Sequence, residues 1–102
     1  MMPRQYVMVW EFHVRPGRTR RFAQRYGRRG EWARLFRRAR GYVRTDLLRD
    51  RSEAGRYLTF DVWRSRAAYA AFRREYRREY AAIDARCAKL TTRERLLGHA
   101  EL

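Results

Sequence analysis

The sequence predicts an α+β domain with the order βαββαβ, an antiparallel sheet and two helices over one sheet face. Three observations predict it. The run Arg56 to Trp63 alternates at period two, so its side chains point to opposite faces of a strand. After Ser65 the spacing becomes helical, with Tyr69, Phe72, Tyr76, Ile83, Cys87 and Leu90 recurring at threes, fours and one seven. Two more strand-like runs, Tyr6 to Arg15 and Tyr42 to Arg49, come earlier and flank a broken helical stretch.

Taken in order, residues 1–5 read as a frayed start. Tyr6 to Arg15 is the first strand. Its first half is apolar on both sides, with Tyr6, Met8 and Trp10 opposite Val7 and Val9, so both faces need cover. In its second half Glu11, His13 and Arg15 alternate with Phe12 and Val14, and Pro16-Gly17 breaks the strand. Arg18 to Tyr26 is a short helix with Phe22, Ala23 and Tyr26 on one side. Gly27 and Gly30 interrupt it by lowering helix propensity. Glu31 to Arg38 resumes with Trp32, Leu35 and Phe36, and Gly41 stops it. Along Tyr42 to Arg49, Val43, Thr45 and Leu47 oppose Tyr42, Arg44, Asp46 and Leu48. The polar run Asp50 to Gly55 makes a hairpin loop. In the third strand Leu58, Phe60 and Val62 form one row, and Tyr57, Thr59, Asp61 and Trp63 the other. Ser65 suits a helix N-cap, because its hydroxyl accepts from first-turn amides. Thr91-Thr92 ends the long helix, and Arg93 to Ala100 is the last strand.

The 102 residues fit one domain, 1–102. Of 26 basic residues only Lys89 is lysine, so 25 are arginine, and the net charge is +15. Such charge suits a nucleic-acid partner. It equally suits an ordinary surface whose cations are written as arginine. The second reading is preferred, since net charge by itself names no specific partner. A single cysteine excludes an intramolecular disulfide, and Cys87 on the apolar stripe reads as a small buried hydrophobe. The apolar run Tyr6 to Trp10 is too short for a signal segment or a membrane span. The expectation is a soluble, cytoplasmic protein that does not engage membranes. His13, His99 and Cys87 lack ligand spacing, so no metal site is expected. Gly27-x-x-Gly30 is a helix break and not a phosphate cradle.

This order is the split βαβ, ferredoxin-like pattern. Two helices cover one sheet face. The other face is expected to carry the rings of Tyr57, Trp63 and Trp10. Rings on an open face call for a second layer, which a two-fold copy of the chain would supply as a homodimer.

Several short motifs resemble a known family. They are Val14-Arg-Pro-Gly17, Gly41-Tyr-Val43, Leu47-Leu-Arg-Asp50, Arg56-Tyr-Leu58, Trp63-Arg-Ser65 and Ala68-Tyr69. Their order over about Tyr6 to Leu97 resembles the antibiotic biosynthesis monooxygenase domain, a group of dimeric α+β barrels. The resemblance implies two protomers packed sheet to sheet around a cavity. Some members oxidise aromatic polyketide anthrones with dioxygen and no metal or flavin, so no cofactor is implied. In those members a Trp at the end of the third strand and a Tyr six residues on line the cavity. Trp63 and Tyr69 match them. Thr59 stands where those members carry an Asn. An Arg of the long helix is also implied; Arg86 is the candidate, near the matching place, which Ile83 occupies. Haem-degrading members need a His early in the long helix, and Phe72 and its neighbours offer none.

Such chemistry needs a dry aromatic slot, a proton acceptor and a donor for a developing oxyanion. Trp63 and Tyr57 are candidates for the slot, Tyr69 for the donor and His13 for the base, with Asp61 in the row of Trp63. Each also has a packing reading: Trp63 at a dimer interface, Tyr69 in the core, His13 as an exposed strand end, Asp61 as the partner of an arginine. Two other functions stay open. One is a basic RNA- or DNA-binding module that stacks bases on Tyr57 and Trp63. The other is a non-catalytic dimer that binds a small hydrophobic ligand.

Overall fold

The computed structural model describes residues 4–102. Part of the expected frayed start, residues 1–3, lies outside the described residues. The elements are β1 (Tyr6–Val14), α1 (Thr19–Tyr26), α2 (Glu31–Phe36), β2 (Tyr42–Arg49), β3 (Arg56–Trp63), α3 (Arg66–Glu75), α4 (Arg77–Cys87), a 3-10 turn (Ala88–Leu90) and β4 (Thr91–Glu101). The strands form one antiparallel sheet in the order β2-β3-β1-β4, which is the ferredoxin-like arrangement.

Local chemistry accounts for the boundaries. Ser65 caps α3, its hydroxyl accepting from the Ala68 amide at 3.0 Å. Asp50 folds the β2–β3 loop, its Oδ1 accepting from the amides of Ser52 at 2.7 Å and Glu53 at 3.1 Å. Gly41 has φ +88°, and a Cβ there would meet the Ala68 Cβ at 2.6 Å. The α2–β2 connection therefore needs glycine for both its backbone and its close approach to α3. The expected long helix is two helices. It breaks at Tyr76 (φ −108°, ψ 29°), whose hydroxyl donates to the Arg38 carbonyl at 3.0 Å and ties the break to the segment after α2.

The alternation in β3 is as expected, but its faces are reversed. Tyr57, Thr59, Asp61 and Trp63 point under the helices, and Leu58 and Phe60 lie half-buried on the open face. Rings decide this. Phe22 of α1 packs on Tyr57 at 5.2 Å, Phe36 of α2 on Trp63 at 5.5 Å, and Phe72 of α3 on Trp63 at 5.0 Å. Large rings remove the most apolar area from water, so they sit where three helices close over them. Trp10 and Phe12 pair with Thr59 and Tyr57 in register and share this covered face. The expected ring-bearing open face is thus overturned for Trp10, Tyr57 and Trp63 alike.

β2 departs from plain alternation. Tyr42 pairs with Trp63 and Arg44 with Val62, so Val43 is an extra residue in a bulge. The bulge shifts phase, and Tyr42 joins Thr45 and Leu47 on the covered face.

The candidate site beneath the helices

The covered face and the helices enclose a cavity of about 40 Å³, open at one side. It lies within the single chain, between its own sheet and helices. Its floor is sheet: Trp10 and Phe12 from β1, Thr45 from β2, Thr59 and Asp61 from β3, and Glu94 from β4. Its roof is helix: Tyr26 from α1, Trp32 and Phe36 from α2, and Tyr80 and Asp84 from α4. Asp84 and Glu94 are exposed and mark the mouth.

Asp61 is the chemical centre. It is 8% exposed and makes one side-chain hydrogen bond, accepting at Oδ1 from the Thr45 hydroxyl at 2.9 Å. Thr45 in turn accepts from the Tyr42 hydroxyl at 2.7 Å. This chain exists because the Val43 bulge puts Tyr42 and Thr45 on one face. Burial pushes the Asp61 carboxyl up to about 7, against the lowering pull of the Thr45 hydroxyl. A carboxyl that exchanges its proton near neutrality, in a cavity wall, suits a general base. Burial likewise raises Tyr80 and Tyr42 above the usual phenol range, so both stay protonated. The indole N–H of Trp32 is buried in the roof beside the Tyr26 hydroxyl and the Cys87 thiol, without a hydrogen bond of good geometry to either.

The structure brings together only part of the expected set. Trp10, Thr59 and Asp61 line the cavity. Trp63 is 0% exposed and packs behind Phe36, so it is core and neither a slot wall nor a dimer contact. Tyr69 packs on Trp63 at 5.4 Å, and its hydroxyl accepts from Arg73 at 2.9 Å, outside the cavity lining. Tyr57 is buried against Phe22. With Tyr57 and Trp63 covered, the base-stacking alternative loses its platform. Arg86 is spent on Glu31, its Nε donating at 2.9 Å on the outside of α4. Asp61 pairs with no arginine among the described residues.

His13 is displaced furthest. It sits on the open face, at the strand end opposite Trp63, roughly 23 Å along β1 at a strand's rise. Its neighbours are Glu53 at 3.3 Å, Arg93 at 3.3 Å and Glu11 at 3.8 Å. It belongs to a charge network, not to the cavity.

Sequence reasoning missed Tyr42, Thr45, Trp32 and Tyr80 as site residues. Trp32 lies four residues before Phe36 and Tyr80 four after Tyr76, so helical spacing carried a signal for both. Nothing in the sequence announces Asp84 or Glu94. Among the described residues no group of three or more His, Cys, Asp or Glu is placed to hold a metal ion. Among them, too, no helix is long and apolar enough to cross a membrane.

Comparison with known proteins agrees with this architecture. The family model for antibiotic biosynthesis monooxygenases matches residues 5–83. A putative antibiotic biosynthesis monooxygenase from Bordetella bronchiseptica has the same fold at 19% identity, with TM-score 0.73 and 95% of each chain covered. SnoaB, a cofactor-independent oxygenase from Streptomyces nogalater, is 22% identical, with TM-score 0.67 over 97% of this chain and 91% of its own. NE2512 from Nitrosomonas europaea, a protein of unknown function, is 16% identical, with TM-score 0.72 over 100% of this chain and 92% of its own. No curated protein matches the chain.

Proposed function

The chain belongs to the antibiotic biosynthesis monooxygenase family, and on that premise we propose that its cavity oxygenates a small phenol without a cofactor, with Asp61 as the proton acceptor. The observation that carries this is the Asp61 carboxyl, buried in an aromatic cavity wall and poised near neutral pH. The cavity's size narrows the substrate. Space of about 40 Å³ holds about three waters. Sites for drug-sized ligands run to roughly 300–1,000 Å³. A fused polyketide is therefore disfavoured, and a single ring enters only as the half-buried walls Trp10 and Tyr80 yield.

The reaction balances without an external reductant. Ionised Asp61 takes the phenolic proton, and the electron pair moves to a ring carbon ortho or para to the oxygen. Dioxygen accepts electrons there and forms a carbon–oxygen bond as a peroxide. Protonated Asp61 returns its proton to the outer oxygen. The O–O bond breaks, the ring C–H proton leaves, and the products are a quinone and water. All four electrons come from the ring. Thr45 and Tyr42 hold Asp61 in place and stabilise its ionised form.

Trp63 and Tyr69 act in this scheme as the packing that positions Phe36 and β3, and His13 and Arg86 take no part. A homodimer belongs to the same reading but in a changed role. The open face carries Leu48, at 41% exposure, beside half-buried Leu58, Phe60 and Val9, which supports pairing with a second copy. That pairing covers apolar surface and does not build the cavity.

The test is oxygen uptake by chelator-treated protein with a single-ring polyphenol, read above autoxidation. Asp61→Asn is expected to lower the enzymatic rate by about 100-fold or more. The wild-type rate is expected to rise with pH through about 7, as Asp61 ionises. A full rate in Asp61→Asn removes Asp61 from the mechanism.

A further inference from the structure

We infer that the outward side of α1, α2 and the turn between them is a docking surface for the phosphate backbone of double-stranded nucleic acid. The distribution of charge points there. Residues 15–40 hold eleven arginines and one carboxylate, Glu31, so this stretch carries +10 of the net +15. Residues 41–102 set fourteen basic residues against nine acidic ones. A compositional habit explains arginine in place of lysine; it does not clear carboxylates from one stretch. Ten of the eleven arginines are exposed, and Arg25 is half-buried. The large apolar side chains of the same helices, Phe22, Tyr26, Trp32, Leu35 and Phe36, are all buried. The two helices thus turn rings to the core and guanidinium groups to water.

The turn holds these charges together. The Gly30 amide donates to the Gly27 carbonyl at 2.9 Å, and a Cβ at Gly30 would run into the Arg25 carbonyl, so the turn is tight. Two later arginines pin it: Arg34 donates to the Arg29 carbonyl at 2.8 Å, and Arg37 to the Arg28 carbonyl. These guanidinium groups are spent on backbone, so they fix two more arginines without neutralising any. The result is an open cleft of about 720 Å³ lined by Arg21, Arg25, Arg28, Arg29 and Arg34. Glu31, its one carboxylate, is taken by Arg25 and Arg86. Asp46, which Arg28 approaches at 3.9 Å, is already held by Arg44 at 3.0 Å. Among the described residues Arg21, Arg29 and Arg34 make no salt bridge. Like charges so crowded repel, and phosphates relieve the repulsion while releasing their own counterions. Guanidinium suits phosphate because its N–H fork binds two oxygens at once. The patch exposes no large apolar side chain to enter a bilayer, which sets it apart from a membrane-binding helix. It exposes no ring on which an unpaired base would stack, which favours a duplex over a single strand. Contacts to phosphate alone carry no base sequence, so binding is expected to be sequence-independent.

Fluorescence anisotropy with a labelled DNA duplex of about 20 base pairs, from about 50 to about 200 mM salt, tests this. With about four phosphates neutralised, affinity is expected to fall roughly 150-fold over that range. In Arg21→Gln/Arg28→Gln/Arg29→Gln the fall is expected to shrink to about fourfold. The control Arg74→Gln/Arg77→Gln/Arg78→Gln removes the same charge from exposed positions on α3 and α4, and is expected to keep the wild-type fall. Urea midpoints check that both variants fold. Should the first triple lose its fold, Arg29→Gln alone takes its place, with a fall of about 40-fold expected. Equal weakening by the two triples assigns binding to net charge and overturns the docking surface. So does a flat salt response, or sedimentation with phosphatidylserine vesicles in place of duplex binding.

Discussion

Two carboxylates lie beneath the surface of the same sheet, one on each face, and their surroundings treat them oppositely. Glu11, on the open face, is 3% exposed and accepts from Arg56 at 2.7 Å and Arg95 at 2.8 Å. The hydrogen bond from Arg56, aided by Arg95, holds its carboxyl down at about 2. Asp61, on the covered face, has one hydroxyl for company and is pushed up to about 7. Glu11 is therefore a fixed charge at any ordinary pH, and Asp61 a proton exchanger. Burial alone does not set the protonation state; what is buried alongside does. In so basic a chain, keeping every guanidinium away from Asp61 is what gives the covered face its chemistry.

The contrast between the faces can be broken by substitution. The largest expected effect is on the covered face. Trp63→Ala should cost about 3–5 kcal/mol by opening a void among Phe36, Tyr69 and Phe72. Leu48→Ala on the open face should cost the protomer less than about 1 kcal/mol. Urea unfolding of both variants checks this, and sedimentation of the Leu48 variant reports on self-association through that face. A comparable loss from Leu48→Ala would mean that the open face is as deeply covered as the other.

Next comes the pH dependence of stability, which should have opposite sign for the two carboxylates. Asp61 binds its proton more tightly folded than unfolded, so its contribution is fully favourable below about pH 4 and is lost as pH rises towards about 7. The loss amounts to at most about 4 kcal/mol. Asp61→Asn should remove it, and denaturation at pH 4 and pH 8 measures the difference. Glu11 runs the other way. Its stabilisation is present above about pH 4.5 and is lost as pH falls through about 2. Glu11→Gln should lower the melting temperature by several degrees at pH 7, with a gap that closes as acid approaches pH 2. The smallest effect sharpens the Asp61 side alone. Thr45→Val removes the bond that lowers the Asp61 carboxyl, so the midpoint of its pH–rate profile should move up by about one pH unit.

The strands and most helix boundaries were legible because they depend on local spacing. β2 and β3 run over the residues that alternation marks, and Ser65 caps where its hydroxyl suggests. The faces were not legible. A row of Tyr57, Thr59, Asp61 and Trp63 suits either a helix layer or a partner sheet, and only three-dimensional packing decides between them. The break at Tyr76 was hidden because neither Pro nor Gly marks it; its hydroxyl's reach to Arg38 is a long-range event. Asp61 was visible as a candidate, but not as the base, since its isolation from arginine is a fact of placement. His13 drew the role of base by residue type alone, and type cannot say which side of a sheet a histidine ends on.

The bulge at Val43 has a consequence for anyone who redesigns this chain. Deleting that residue would leave β2 one position shorter and still apolar enough to pair with β3. It would also leave the tyrosine two positions from the threonine, on the same side of a now regular strand, so the hydrogen-bonded chain that steadies the acid should survive the loss. The valine is thus a spare length of strand, and the proton-handling centre depends on the pairing around it and not on the residue itself.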